Sequence, residues 1–390
     1  MAIQFRDLQR QYVHIKNKMN MKIAGVINSA HFISGPEVKE LETVLADYVG
    51  VKHCISCANG TDAITIALKA HGVGDGDAVF VPDFTFFSSG ECPATVGATP
   101  IFVDVSPVTY NIDPESLVKT VEKVIAEGRF RPRAVIAVDL FGLPFDVEAI
   151  KAVCDRYGML LLEDAAQGFG GAYVSKTGKK MACSFGDIAT TSFFPAKPLG
   201  CYGDGGAIFT NDDDVNLMCR SIAVHGKDTQ NLDDPNAKYN NIRLGFNSRL
   251  DTIQAAVLLA KFPTFRDEEL EKVNHVANLY SQKLGTVKGL VIPAVEDNCY
   301  SAWAQYTVQL PDGVNRADFQ KALKADGIPT NIYYIKPMHL QGAFIGTSSS
   351  EANCPITEKL CRNVLCLPIH PYLTDDEVEF VAEKIKKKLG

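Results

Sequence analysis

The chain has 390 residues, 46% of them hydrophobic, and a net charge of -7 from 39 basic and 46 acidic side chains. That is enough apolar material for one large core and a smaller second one. With mixed signs and no basic block, binding to nucleic acid or to an anionic membrane surface is excluded as the main task, and no stretch reaches the length of a transmembrane helix.

The opening, Met1-Ala2-Ile3-Gln4-Phe5-Arg6-Asp7, has no basic head followed by an apolar segment, so no secretory leader is predicted. Eleven cysteines, an odd number scattered through apolar segments, predict buried thiols in a reducing cytoplasm. Residues 5–27 read as an arm and a helix, with Tyr12, Ile15, Met19, Ile23 and Val26 at helical spacing. Phe32 to Pro36 is a turn, and Pro36 opens a second helix whose apolar face is Val38, Leu41, Val44, Leu45 and Tyr48. Residues 53–58 read as a short buried strand. Cys54-Ile55-Ser56-Cys57 within it matches C-x-x-C, but no second ligand pair accompanies it, so it reads as core. Asn59-Gly60-Thr61-Asp62 follows and a helix runs on from Ala63. The free N–H groups at such a helix start form a natural phosphate seat. Asn59 or Thr61 as a plain N-cap is the other reading, and the two are compatible.

Strands are predicted at 78–82, 100–104 and 134–138, with amphipathic helices at 114–124 and 147–157 between them. This alternation predicts a mostly parallel sheet with helices on both faces. The apolar run Leu160-Leu161-Leu162 reads as a fully buried strand that ends in Glu163-Asp164-Ala165-Ala166-Gln167. Ligands of open α/β sheets sit beyond the carboxyl ends of such strands, where Asp164 lies. After a strand at 188–193, Lys197 falls in a loop bounded by Pro195, Pro198 and Gly200 that cannot be a regular helix. A strand-end carboxylate and a constrained lysine suit pyridoxal 5'-phosphate. The amine condenses with the aldehyde, and the aspartate keeps the pyridine nitrogen protonated. Either residue alone would read as a cap or a solvated charge; the pairing carries the inference. The glycines of 200–206 do not fit G-x-G-x-x-G between a strand and a helix, which ranks a Rossmann dehydrogenase last.

A strand at 207–210 and a helix at 215–224 follow, then a polar loop at 227–241 and Gly245-Phe246-Asn247-Ser248-Arg249. Long helices run from Thr252 to about Leu284. A smaller α/β unit comes next, with a strand at 305–310, a helix at 316–326, the aromatic stretch Thr330 to His339 and a final helix at 374–389. The predicted division is 1–250, a large cofactor-binding domain, and 251–390, the connecting helices and a small domain.

Three runs, Glu163 to Gln167, Ser192-Phe193-Phe194-Pro195-Ala196-Lys197-Pro198-Leu199-Gly200 and Gly203-Asp204-Gly205-Gly206-Ala207, resemble the DegT/DnrJ/EryC1/StrS sugar aminotransferases. The resemblance implies the aspartate-aminotransferase fold (fold type I) and pyridoxal 5'-phosphate, with no metal. It implies that Lys197 and Asp164 are catalytic and that Gly60, Thr61 and Ser192 hold the cofactor phosphate. Phe86 would stack on the ring, and Gln167 would touch the phenolic oxygen. Asn247 would reach across a homodimer to the partner's phosphate, making the active sites shared. Arg249 suits a carboxylate or phosphate, and Tyr333, Tyr334 and His339 would face the sugar. Many relatives have His where Tyr333 stands and Pro where Ile335 stands. The implied substrates are L-glutamate and a nucleotide-linked keto-sugar, most closely a UDP-linked 3-keto-hexosamine uronate for surface polysaccharide. A 4-keto-6-deoxy nucleotide sugar is the alternative. Dehydrating relatives carry His in place of the lysine, and regulators lose it or add a DNA-binding domain; Lys197 speaks against both.

Overall fold

The computed structural model describes residues 3–176, 178–228 and 240–389. Most of the polar 227–241 stretch therefore lies outside the described residues.

In chain order, α1 (Leu8–Ser29) and α2 (Pro36–Val49) lead into β1 (His53–Cys57), α3 (Gly60–Ala70), β2 (Asp77–Pro82), α4 (Phe87–Thr95) and β3 (Thr99–Val103). Then come α5 (Pro114–Glu127), β4 (Arg131–Val138), α6 (Val147–Tyr157), β5 (Leu160–Asp164), β6 (Ala172–Ser175), β7 (Gly178–Met181), β8 (Ile188–Ser192) and β9 (Gly206–Thr210). The remainder is α7 (Asp213–Ala223), α8 (Thr252–Thr264), α9 (Leu270–Leu284), β10 (Cys299–Tyr300), β11 (Tyr306–Gln309), α10 (Arg316–Ala325), α11 (Pro355–Asn363), β12 (Val364–Leu367) and α12 (Asp375–Leu389).

Seven strands form one sheet in the order β1-β9-β8-β5-β4-β2-β3. Pairs from β3 through to β8 are parallel; β9 runs antiparallel to both β8 and β1. Side chains alternate across this sheet as strand geometry demands. Leu161 joins one apolar layer with α1, α2, α5, α6 and α8, whereas Leu160 and Leu162 join the opposite layer with α3 and α7. Burial on both faces explains why β5 reads as an unbroken apolar run. Gly158 ends α6 at φ 64°, a left-handed conformation that glycine adopts cheaply, and so delivers the chain into β5.

A third core gathers α9, β11, α10, β12 and α12, with Ile3 from the arm. Helix α8 packs with α1 and α2 and belongs to the large core. Among the described residues no helix is long and apolar enough to cross a membrane. All eleven cysteines are unpaired, and ten are buried. Burial pushes the Cys54 and Cys57 thiols up, which leaves them chemically inert.

Candidate active site

The site forms where β5 ends. Asp164 is 5% exposed and accepts hydrogen bonds from Ser89 Oγ at 2.9 Å and from the Ala166 N–H at 3.1 Å. Burial raises its pKa, while both donors and the nearby Lys197 work in the opposite direction. Ser89 comes from the first turn of α4.

Lys197 sits in a tight turn between β8 and β9. Its N–H donates to the Phe194 carbonyl at 2.9 Å, and the Cys201 N–H closes back on the Phe193 carbonyl at 2.7 Å. A side chain at Gly200 would meet the Pro195 and Phe194 carbonyl oxygens at 2.5 and 2.6 Å, so only glycine closes this turn. Lys197 is half-buried. Burial lowers the pKa of its amine, Asp164 raises it and the Arg6 cation lowers it again.

The start of α3 lies alongside. Asn59 caps the helix by accepting from the Asp62 N–H at 2.8 Å. A Cβ at Gly60 would fall 2.8 Å from the Ser192 Cβ, so glycine lets the helix N-terminus and the end of β8 meet. Thr61 Oγ1 and Ser88 Oγ share a hydrogen bond of 2.7 Å. Gly60, Thr61 and Ser192 thus converge beside the free N–H groups of a helix start, a cradle suited to a phosphate.

The three nearby phenylalanines separate cleanly. Phe84 is buried, its ring centroid 5.7 Å from that of Tyr334. Phe87 packs on Phe344. Phe86 is 55% exposed and presents its ring to solvent. Gln167 accepts from the Phe141 N–H and donates Nε2 to the Tyr334 hydroxyl at 3.2 Å, which joins the β5 loop to the small unit. Tyr333 lies edge-on to Phe5 and to Tyr334.

Three expected residues remain: His339, Asn247 and Arg249. His339 is 4% exposed and turned inward: its Nδ1 pairs with Asp83 Oδ2 at 2.7 Å, and its N–H donates to Asp83 Oδ1 at 2.8 Å. Cys354 Sγ lies within 4.8 Å of both groups. The pairing raises the His339 pKa, and His339 and Asp83 form a buried hydrogen-bonded strut. Asn247 and Arg249 stand apart at an edge. Ser248 between them is 0% exposed and accepts from the Ala58 N–H, so alternation turns both neighbours outward. Arg249 borders a cleft of about 400 Å³ with Lys39, Glu42 and Arg220.

Ser89 and Arg6 escaped the sequence reading. Ser89 sits in a helix rich in small residues with no apolar period, and Arg6 acts through the fold alone.

The DegT/DnrJ/EryC1/StrS aminotransferase family model matches residues 13–386. The chain belongs to this family. A UDP-2-acetamido-2-deoxy-3-oxo-D-glucuronate aminotransferase from Pseudomonas aeruginosa is 45% identical over 379 residues, 97% of this chain and 98% of the relative. The crystal structure of a DegT DnrJ EryC1 StrS aminotransferase from Brucella abortus is 44% identical, covers both chains in full (100% each) and superposes with a TM-score of 0.93. DesV of S. venezuelae, solved in complex with a ketimine intermediate, is 30% identical with a TM-score of 0.90, covering 100% of this chain and 98% of its own. This aminotransferase thus has the fold-type-I architecture.

Proposed function

We propose that this aminotransferase uses pyridoxal 5'-phosphate to move an amino group from L-glutamate to C3 of a UDP-linked 3-keto-hexosamine uronate. The carrying observation is that Asp164 lies close to Lys197 and, through Ser88 and Ser89 at the start of α4, beside the Gly60–Thr61–Ser192 cradle. The likeness to the P. aeruginosa enzyme supports the sugar, and the ketimine held by DesV supports the cofactor.

The residues fit that cofactor. The cradle admits a phosphate, the exposed Phe86 ring offers a flat face, and Asp164 is a buried carboxylate with two donors that fix its direction. Bound there, the cofactor would supply an electron sink for a carbanion. Asp164 would hold a proton on the pyridine nitrogen. Lys197 Nζ would anchor the aldehyde and act as proton carrier in both halves, taking a proton off the donor's α-carbon in the first and delivering one to the sugar C3 in the second. Burial favours the uncharged amine, the form able to do this.

Asn247 and Arg249, facing outward, would complete the site of a second copy in a homodimer, with Arg249 on the uronate carboxylate. Eleven unpaired cysteines support work in a reducing cytoplasm. The test is the visible spectrum of the purified protein before and after L-glutamate, followed by turnover of the UDP-linked 3-keto uronate. A yellow protein that bleaches with glutamate and aminates this sugar is the expected result. A protein that acquires no such colour when given the cofactor overturns the reading.

A further inference from the structure

The two arm residues Phe5 and Arg6 lie against this site. Arg6 Nη2 donates to the Lys197 carbonyl at 2.8 Å. At the other end of the same turn Lys261 Nζ, from α8 and 2% exposed, donates to the Gly200 carbonyl at 2.5 Å. The turn is therefore held at both ends by cations, and one of them comes from the arm. The preceding residue, Phe5, brings its ring centroid to 6.5 Å from that of Tyr333, at 60°. Just beyond, Arg10 forks onto Glu377 of α12 at 2.7 and 2.8 Å, so the arm is fastened where it enters α1.

We propose that the N-terminal arm is a working part of the active site, in which Arg6 is a positioning residue for the Lys197 turn and Phe5 braces Tyr333. The proposal rests on Lys197 being the cofactor anchor.

An arginine here does more than hold a carbonyl. Lys197 faces Asp164 from β5 and Arg6 from the arm. Arg6 in turn faces Glu269, a buried carboxylate held by Gln11 and Tyr372. Lys261 also lies near Arg6, and so does His370, which burial pushes down to about 4 and so leaves uncharged. A cation beside an amine disfavours the ammonium form, whereas Asp164 favours it. Removing the arm's charge therefore lets Lys197 keep its proton to higher pH. A neutral side chain that merely filled the space would hold the turn without this effect.

The experiment reads the lysine directly. Apoenzyme is trace-labelled with acetic anhydride from about pH 6 to 11, and the Lys197 peptide is quantified by mass spectrometry. Arg6→Gln is expected to move the labelling midpoint up by about half a pH unit and to slow labelling at pH 7.5 about threefold. Arg6→Lys, which keeps the charge, is expected to keep the wild-type midpoint. A purely structural arm would change the high-pH plateau and leave the midpoint alone. An unmoved midpoint in Arg6→Gln, or an equal shift in Arg6→Lys, overturns the role of Arg6. Phe5→Ala is expected to raise KM for the sugar about threefold at the wild-type midpoint, and an unchanged KM overturns the role of Phe5. Borohydride reduction of holoenzyme separates the two layers of inference. Cofactor mass on Lys197 with an unmoved midpoint sinks the arm proposal alone. Cofactor mass on another residue sinks the anchor and the arm together.

Discussion

The carboxyl end of β5 and the edge at Asn247–Arg249 are built in opposite ways. At β5 the polar groups of the centre are fixed by other parts of the same chain: Asp164 by Ser89 and the Ala166 N–H, Gln167 by Phe141 and Tyr334, the Lys197 turn by Arg6. At the edge Arg249 is exposed and makes no side-chain hydrogen bond or ion pair among the described residues. A preorganised group costs little to use because its orientation is already fixed. A free guanidinium is ready for a partner that arrives from elsewhere. The contrast separates a centre whose groups are fixed by their own chain from an edge whose groups are left open.

The largest effects fall on the self-contained side. Asp164→Asn is expected to lower turnover of the sugar by about a thousandfold or more, since an amide cannot stabilise a protonated pyridine nitrogen. A visible band that shifts while the protein stays folded is the matching spectral check. Turnover within tenfold of wild type would remove Asp164 from the chemistry.

The edge is tested by mixing. Lys197→Ala and Asn247→Ala are each expected to be nearly inactive alone. Refolded together in equal amounts, half the dimers are mixed, and one of their two sites keeps both residues if Asn247 acts across the interface. Activity should then return to about a quarter of wild type. No recovery in confirmed mixed dimers would place Asn247 and Lys197 in the same subunit's site. Arg249→Lys sharpens the same comparison: KM for the uronate should rise about tenfold with little change in kcat, because an ammonium lacks the planar fork. Equal KM values would deny Arg249 the carboxylate.

The same contrast explains what the sequence made legible. Asp164 and Lys197 were readable because their signals are local: an apolar run that stops at an acid, and a lysine between prolines. The helices at 36–49 and 147–157 were readable for the same reason, each with an apolar period and a glycine after it. Helix α4 was not: it carries Ser88, Ser89, Gly90 and an internal Pro93, so no period marks it and its serine on Asp164 stayed hidden. Arg6 lies 191 positions from the carbonyl it holds, and His339 lies 256 from Asp83. Contacts at that separation exist only after folding, so a histidine at a family position reads as substrate-facing until its acidic partner is located.

Self-containment also carries a cost behind Asp164. Asp139 and Glu163 are both 0% exposed. Glu163 accepts from the N–H groups of Cys183 and Phe185. Asp139 Oδ1 accepts from the Phe145 N–H at 3.3 Å, while its Oδ2 has no donor. That oxygen is satisfied once Asp139 carries a proton and shares it with Glu163. Burial, mutual repulsion and the neighbouring charge of Asp164 push Asp139 well up, and burial pushes Glu163 up to about 7. Both shifts are upward from unfolded values near 4. Their stabilisation is therefore complete below about pH 4 and is lost as pH rises through about 7. Asp139→Asn puts an amide donor where the shared proton sits and keeps the acceptor for Phe145. Wild-type melting temperature should fall by a few degrees between about pH 6 and 8.5, and the Asn variant should fall by less. Parallel melting curves across that window would show that the pair carries no shared proton. The β5 region would then be preorganised with no buried proton to hold.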